Sequence, residues 1–291
     1  MDIGFIGLGR MGMNMVYNLL DNNYSVVAYN RSGAPVREAE KRGAVGAYSI
    51  KELFERLPRK RIIWMMIPAR AVDDMIGKLK PNLSRGDILI DGGNSFYRDS
   101  IRRHRELNDL GVRFLDVGTS GGIEGARHGA CMMVGGDRKA FKGIEALFSD
   151  MCVKDGYGYM GCSGAGHFVK MVHNGIEYGM MGAIAEGMDA VRKSGFAADL
   201  MDVARVYSNG SIVESRLMSW LLAGMKGSGF AGISGEVPKG ETEDEMRELE
   251  KTGMPILRQA RLMRAKTRAK PDYRGKLIAA MRNQFGGHAT K

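Results

Sequence analysis

No stretch of this chain holds the roughly 18 consecutive apolar residues that a membrane span requires, so no transmembrane segment is expected. The opening residues, MDIGFIGLGR, lack the basic region and following apolar core of a secretory signal, and they read as a strand entering a turn. Cysteine is scarce. Cys131, Cys152 and Cys162 are an odd number without CxxC spacing, which excludes a zinc ribbon or a disulfide framework and fits the reduced thiols of a cytoplasmic protein. Consecutive basic residues interleaved with aromatics are also missing. The net charge of +10 therefore points away from nucleic acid and towards an anionic small molecule. What is present is ordinary for a soluble globular protein: 44% hydrophobic and 26% charged residues, enough in 291 positions for one or two domains. The 22 methionines are expected as flexible core filler.

Ile3 to Ile6 reads as a buried strand, followed by Gly7-Leu8-Gly9-Arg10-Met11-Gly12. Met15, Val16, Leu19 and Leu20 then recur at helical spacing, and Val26 to Tyr29 is a second strand. Strand, GxGxxG, helix, strand is the order of a dinucleotide-binding fold. The first glycine permits the tight turn, the second lets backbone approach a pyrophosphate, and the third lets helix pack on strand. The helix N-terminus offers the phosphates its unpaired N–H groups. After the second strand stands Asn30-Arg31-Ser32. It has no carboxylate for a free ribose 2′-hydroxyl, whereas its arginine suits a 2′-phosphate, so NADP is favoured over NAD.

Further strands are expected at Arg61 to Ile67 (closed by Pro68), Asp87 to Ile90, Val112 to Val117, Cys131 to Val134 and Met151 to Lys154. Helices are expected at Ala71 to Leu79 and Tyr97 to Leu110. The alternation implies a mostly parallel sheet with ligands beyond the carboxyl ends of its strands. Asn94, within Asp91-Gly92-Gly93-Asn94-Ser95, and the turn Ser120-Gly121-Gly122 fall at that edge. Beyond about Gly164 the period becomes helical, over 165–194, 199–208, 213–223, 243–252 and 256–284. The expected division is a dinucleotide-binding domain over 1–163 and a helical substrate and oligomerisation domain over 164–291. Gly175, Gly179 and Gly182 are expected to admit a helix of a second subunit, and Gly224 to Gly240 to form a lid. Arg282 and His288 would suit an anion, although alone they read as an ordinary tail.

The most distinctive stretch is HFVKMVHNGIEYGMMG, from His167 to Gly182. Lys170, His173, Asn174, Glu177 and Tyr178 share one side of a helix, with Phe168, Val169, Val172 and Ile176 on the other. An amine, an imidazole, an amide, a carboxylate and a phenol can take, give and hold protons on a small molecule. The same spacing also describes a surface helix with a solvated face.

Taken together, IGLGRMG at 6–12, NRS at 30–32, DGGNS at 91–95, VGTSGG at 117–122, VKMVHNGIEYG at 169–179 and RNQFGGH at 282–288 resemble the 6-phosphogluconate dehydrogenase family from end to end. The length resembles the family's short form. The resemblance implies an α/β Rossmann-like domain followed by an all-α domain. The reaction it implies is oxidation and decarboxylation of 6-phosphogluconate to ribulose 5-phosphate with NADP or NAD and no metal, in pentose phosphate or gluconate metabolism. By the same resemblance Lys170 would be the base and Glu177 the acid. Asn94, Ser120, Gly121, Gly122, His173, Asn174 and Tyr178 would hold the substrate, and Arg282 and His288 would reach its phosphate from a neighbouring subunit of a homodimer or homotetramer with shared sites. Gly7, Leu8, Gly9, Arg10, Met11, Gly12, Asn30, Arg31, Ser32, Met66, Ile67, Pro68 and Asn94 would hold the cofactor. The lid departs from the family pattern at Val237-Pro238-Lys239-Gly240-Glu241-Thr242. This leaves Lys239, Arg264 and Lys266 as alternative phosphate cations.

A 3-hydroxyisobutyrate-type dehydrogenase would share the fold, Lys170 and Asn174 without decarboxylating. His173, Glu177, Arg282 and His288 argue against it, since a small unphosphorylated acid has no use for so many partners. A non-catalytic dinucleotide sensor or basic nucleic-acid binder would leave the proton-transfer stripe unexplained.

Overall fold

The computed structural model describes residues 1–240, 242–287 and 290. The chain folds as two compact units, Met1–Lys170 and Met171–Lys291.

The first unit is an eight-stranded sheet: β1 Asp2–Ile6, β2 Ser25–Tyr29, β3 Val45–Ala47, β4 Ile62–Met65, β5 Ile88–Asp91, β6 Arg113–Ser120, β7 Ala130–Gly136 and β8 Cys152–Gly161. Their order across the sheet is β3-β2-β1-β4-β5-β6-β7-β8. Every pair is parallel except β6–β7, which runs antiparallel. Eight helices connect the strands: α1 Arg10–Asp21, α2 Gly33–Glu40, α3 Ile50–Glu55, α4 Ala69–Leu79, α5 Tyr97–Asn108, α6 Gly122–His128, α7 Arg138–Gly143 and α8 Glu145–Met151. The strand order reverses between β1 and β4, where a doubly wound sheet opens a crevice for a ligand. Side chains alternate between two buried faces. Trp64, Ile90, Leu115 and Val117 pack on one side, and Ile63, Met65, Leu89 and Phe114 on the other.

α9, Ala165–Lys193, opens the helical part. The first compact unit reaches Lys170, beyond the start of this helix, because Gly166 lies directly against the backbone of Asp116, Met133 and Gly135. The second unit continues with α10 Leu200–Tyr207, α11 Arg216–Lys226, α12 Glu243–Glu250, α13 Pro255–Ala269 and α14 Tyr273–Gly286. Met181, Met188, Met218, Met225 and Met281 line its core beside Leu217, Leu221, Leu277 and Ile278.

Several expectations are corrected. The helix expected over 256–284 is two helices, α13 and α14. Pro271 cannot donate a helical N–H, and Asp272 caps the second helix by accepting from Gly275 N at 2.9 Å. Met151 ends α8 rather than opening a strand, and β8 runs on to Gly161. The short elements β3, α2, α3 and α6 are too brief for periodicity to register. The loop after α11 is tied down. Val237 N donates to Thr267 Oγ1 at 3.0 Å, and Lys276 Nζ to Ala231 O at 2.9 Å.

The faces of α9 are also not those expected. Ile176 is 53% exposed, whereas Tyr178 is 5% exposed. The glycines set this orientation. A Cβ on Gly175 would meet Leu249, Met254 and Leu257, one on Gly179 would meet Ile256, and one on Gly182 would lie 3.4 Å from Ala260 Cβ. Within this chain the helix these glycines meet is α13.

Candidate active site

The loop after β1 has the shape of a phosphate cradle. Gly7 has φ +99°, and a Cβ there would run into Met66 O and Ile67, which places the segment Met66-Ile67-Pro68 alongside. A Cβ on Gly12 would strike Gly7 O, so this glycine lets α1 pack against the strand. Gly9 differs from both, because a Cβ there meets nothing within 4 Å. The fold therefore does not need a glycine at position 9. A group laid across the start of α1 does, and α1 has no side-chain cap and no acidic residue in its first turn. Leu8, Arg10 and Met11 complete the loop, with Leu8 buried and Arg10 exposed. These residues fit a dinucleotide pyrophosphate.

Asn30 connects this loop to the next. Its Oδ1 accepts from Leu8 N at 3.1 Å, and its Nδ2 donates to Ser32 Oγ at 3.0 Å. Its amide thus organises the two loops, while Arg31 and Ser32 stand exposed at the start of α2. A second cation was not expected here. Arg37 folds back so that its Nη1 lies 3.0 Å from the Cβ position of Gly33. The sequence reading missed it because α2 itself was not anticipated. Once the helix is known, Arg37 is one turn from Gly33 on the same face.

The turn bearing Asn94 is held from beneath. Asp91, fully buried, accepts from Gly93 N at 3.2 Å, from Ser95 Oγ at 2.7 Å and from Arg103 Nη1 at 3.2 Å. Gly92 lies on the Trp64 ring, and a Cβ on Gly93 would be 2.7 Å from Ile67 O. Thr119 Oγ1 donates to Gly92 O at 3.4 Å, which joins this turn to the end of β6. There Ser120 closes the strand, and Gly121 and Gly122 take φ of +114° and +64° to start α6. Lys170, one turn into α9, packs its Cβ and Cγ over Gly118, leaving no room for a side chain there. The first unit therefore carries Asn94, Ser120, Gly121, Gly122, Lys170 and the cofactor residues.

The second unit carries the rest. His173 Nδ1 and Asn174 Oδ1 are 3.3 Å apart. Tyr178 is covered by Arg264, whose Cζ stands 3.3 Å from the ring centroid. Arg264 is 4% exposed and Arg282 7%. Arg282 Nη1 donates to Pro238 O at 3.0 Å. The Cβ position of Gly240 is 3.4 Å from Tyr178 Oη and 3.6 Å from Arg282 Nη2, so both side chains meet at the same point of the loop. Burial and the neighbouring Arg282 push the Arg264 guanidinium down to about 10, against the pull of Tyr178 and Glu177. Burial likewise lowers Arg282, with Tyr178, Glu177 and Glu243 acting to raise it.

The three candidate cations differ in their surroundings. Lys239 is exposed and paired with Asp244 at 2.9 Å. Lys266 faces solvent. Arg264 joins Tyr178 and Arg282, and its Nε has no hydrogen-bond partner among the described residues. Within its own chain Arg282 stands near Tyr178 and the loop at Gly240. His288 lies outside the described residues. Among the described residues no cluster of His, Cys, Asp or Glu could hold a metal ion, and no helix is long and apolar enough to cross a membrane. All three cysteines are free thiols.

Comparison with known proteins gives a consistent result. Residues 2–164 match the NAD binding domain of 6-phosphogluconate dehydrogenase, and residues 166–195 match the C-terminal domain of that enzyme. The Bacillus subtilis protein YqeC is 43% identical over 300 residues, covering 100% of this chain and 99% of its own length. An NAD(+)-dependent, decarboxylating 6-phosphogluconate dehydrogenase of Haloferax volcanii is 37% identical, covering 99% of this chain and 98% of its own. Among solved structures, Plasmodium falciparum 6-phosphogluconate dehydrogenase superposes with a TM-score of 0.82 at 29% identity, over 93% of this chain and 62% of that one. Mycobacterium tuberculosis 3-hydroxyisobutyrate dehydrogenase shares the fold, with a TM-score of 0.73 at 21% identity over 95% of this chain and 97% of that one. With a dinucleotide cradle at the head of its sheet and matches that run from one end to the other, the chain belongs to the 6-phosphogluconate dehydrogenase family of NAD(P)-binding oxidoreductases.

Proposed function

We propose that this protein oxidises and decarboxylates 6-phosphogluconate to ribulose 5-phosphate. The observation that carries this reading is the pair of buried guanidiniums, Arg264 and Arg282, beside Tyr178 and Glu177. Two buried cations with few counter-charges suit a phosphate dianion. A small unphosphorylated hydroxy acid would leave them uncompensated, which disfavours the 3-hydroxyisobutyrate-type alternative.

When bound along Gly7 to Gly12, Asn30 to Ser32 and Met66 to Pro68, a nicotinamide cofactor supplies the hydride acceptor. Lys170, as the neutral amine, takes the proton of the substrate's 3-hydroxyl as the hydride leaves C3. The resulting ammonium polarises the 3-ketone. The C1–C2 bond then breaks to release carbon dioxide, and the electron pair passes into an enediol whose 3-oxygen receives the proton from Lys170. Glu177, as the carboxylic acid, protonates the carbon that lost the carboxylate, while the enediol's 3-hydroxyl gives its proton back to Lys170 and becomes the ketone of ribulose 5-phosphate. Ser120, Gly121 and Gly122 hold that carboxylate beforehand. His173, Asn174 and Asn94 hold the hydroxyls. Tyr178, Arg264 and Arg282 hold the phosphate, with His288 a further candidate.

The test is stoichiometric. Purified protein given 6-phosphogluconate is expected to release one carbon dioxide per reduced nicotinamide. Reduced cofactor without carbon dioxide would establish the simpler hydroxyacid dehydrogenase instead. For the cofactor, Arg31, Ser32 and Arg37 support NADP. Arg31→Ala should raise the Michaelis constant for NADP by ~10-fold, the loss of one charge-assisted phosphate contact, while that for NAD stays within about two-fold. Equal changes for both cofactors would remove Arg31 from the 2′-phosphate. The protein is further proposed to form a homodimer or homotetramer, supported by Ile176, Met180 and Ile256, which lie exposed on the second unit. Light scattering of the purified protein decides this.

A further inference from the structure

We propose that Asp116 and Gly118 are the positioning residues that place Lys170 for catalysis, an inference that rests on Lys170 being the base proposed above. The two residues alternate with Ser120 along β6, so all three face the same side of the sheet. On that side lies the start of α9. Asp116, fully buried, directs both carboxylate oxygens at it. Oδ1 accepts from Gly164 N at 2.8 Å, and Oδ2 accepts from His167 N at 3.0 Å. These are donors of the kind a helix start leaves without intrahelical partners, and a negative group there also meets the positive end of the helix dipole. Gly166, between the two donors, sits on the β6–β7 pair with its Cβ position 2.6 Å from Met133 O and 2.7 Å from Gly135 N. Neither backbone can retreat.

A third tie comes from the side. The His167 ring is 2% exposed, and its Nδ1 lies 2.7 Å from Ser100 Oγ of α5. Ser163 Oγ donates to Ser100 O at 3.1 Å. α5 also carries Arg103, which holds the Asp91 turn. The segment from Ser163 to His167 is therefore fixed to β6, β7 and α5 together. One turn later Lys170 passes over Gly118, with its Cγ 2.9 Å from where a Cβ would be. Strand β6 thus presents, in steps of two residues, an anchor for the helix, a seat for the lysine and the serine proposed to bind the substrate carboxylate. Neither Asp116 nor Gly118 touches the substrate in this scheme. Each acts by setting where the amine stands.

Two variants test the idea. In Asp116→Asn an amide N–H₂ must face one of the two backbone donors, so the start of the helix shifts. In Gly118→Ala the added methyl occupies the lysine's seat. Displacement of a reacting group by about 1 Å costs ~100-fold, so each variant should lower kcat per cofactor-binding site by that order while the cofactor Kd stays within about two-fold. Because both variants displace the same amine, the double variant should be no more than about three-fold worse than the weaker single, whereas independent effects would multiply. A purely structural role would instead reduce the fraction of binding-competent protein and leave kcat per site intact. That result, or multiplicative losses, overturns the proposal. Acetylation of Lys170 by an N-hydroxysuccinimide ester, followed by mass spectrometry with exposed Lys139 as internal reference, needs no substrate. Its rate should change by at least about three-fold in both variants, a modest displacement effect. An unchanged rate in both overturns the proposal. A wild-type protein that fails to turn over 6-phosphogluconate removes the substrate reading alone.

Discussion

Lys170→Met is expected to abolish turnover, with kcat lower by ~10³- to 10⁴-fold, the upper range for loss of a general acid–base group that acts in successive steps. Methionine keeps the length and much of the volume of the lysine stem, so the contact over Gly118 survives. What disappears is the amine. In the proposed reaction that amine acts at every step, first accepting the hydroxyl proton, then returning it to the oxygen while the C–C bond breaks, and finally taking it back as the enediol becomes the ketone. A single substitution should therefore stop both hydride transfer and decarboxylation. Cofactor binding, followed by quenching of protein fluorescence, should be unaffected, because the cradle from Gly7 to Gly12 is built by β1 and α1. A variant that retains turnover within tenfold of the wild type would take Lys170 out of the role of base.

Arg264→Met should raise the Michaelis constant for 6-phosphogluconate by ~100-fold, the loss of about 3 kcal/mol expected when a charge-assisted contact to phosphate is removed. Hydride transfer at saturating substrate should suffer far less, since the guanidinium belongs to the phosphate end. A second readout separates this role from packing. In the wild type the buried guanidinium stands beside Arg282, short of negative charge. A sugar phosphate that binds there should raise the thermal midpoint. In Arg264→Met this phosphate-dependent rise should vanish, although the ligand-free protein still melts cooperatively. A rise equal to that of the wild type would return the question to Lys239 and Lys266.

The N-terminal half of the molecule was largely legible in the sequence. Gly7 and Gly12 announce their positions because a larger residue does not fit at either, and β1, β2, β4, β5 and β6 appear as apolar runs because both faces of the sheet are covered. The orientation of α9 was not legible by hydrophobicity. Its buried side is defined by Gly175, Gly179 and Gly182, which contribute little apolar surface of their own and instead admit the side chains of α13. Apolar Ile176 is consequently left outside and Tyr178 is taken in. The burial of Arg264 was hidden for a related reason. α13 carries many cations, and composition does not rank them. Its period does so in retrospect, because Leu257, Ala260, Arg264 and Thr267 form the buried stripe, and the arginine takes the place of an apolar residue on it. Arg282 is buried on α14 in the same way, where a tail of the chain was the simpler expectation.

The amide of Asn30 has a consequence for how cofactor preference can change over evolutionary time. By gripping Leu8 on one side and Ser32 on the other, it keeps the backbone of both loops in place whatever side chains stand at 31 and 37. In the proposed site, selectivity for the far end of the cofactor is thereby uncoupled from retention of its pyrophosphate. A lineage, or a designer, is free to exchange the cations at 31 and 37 for residues that accept a bare ribose, provided Asn30 is left untouched.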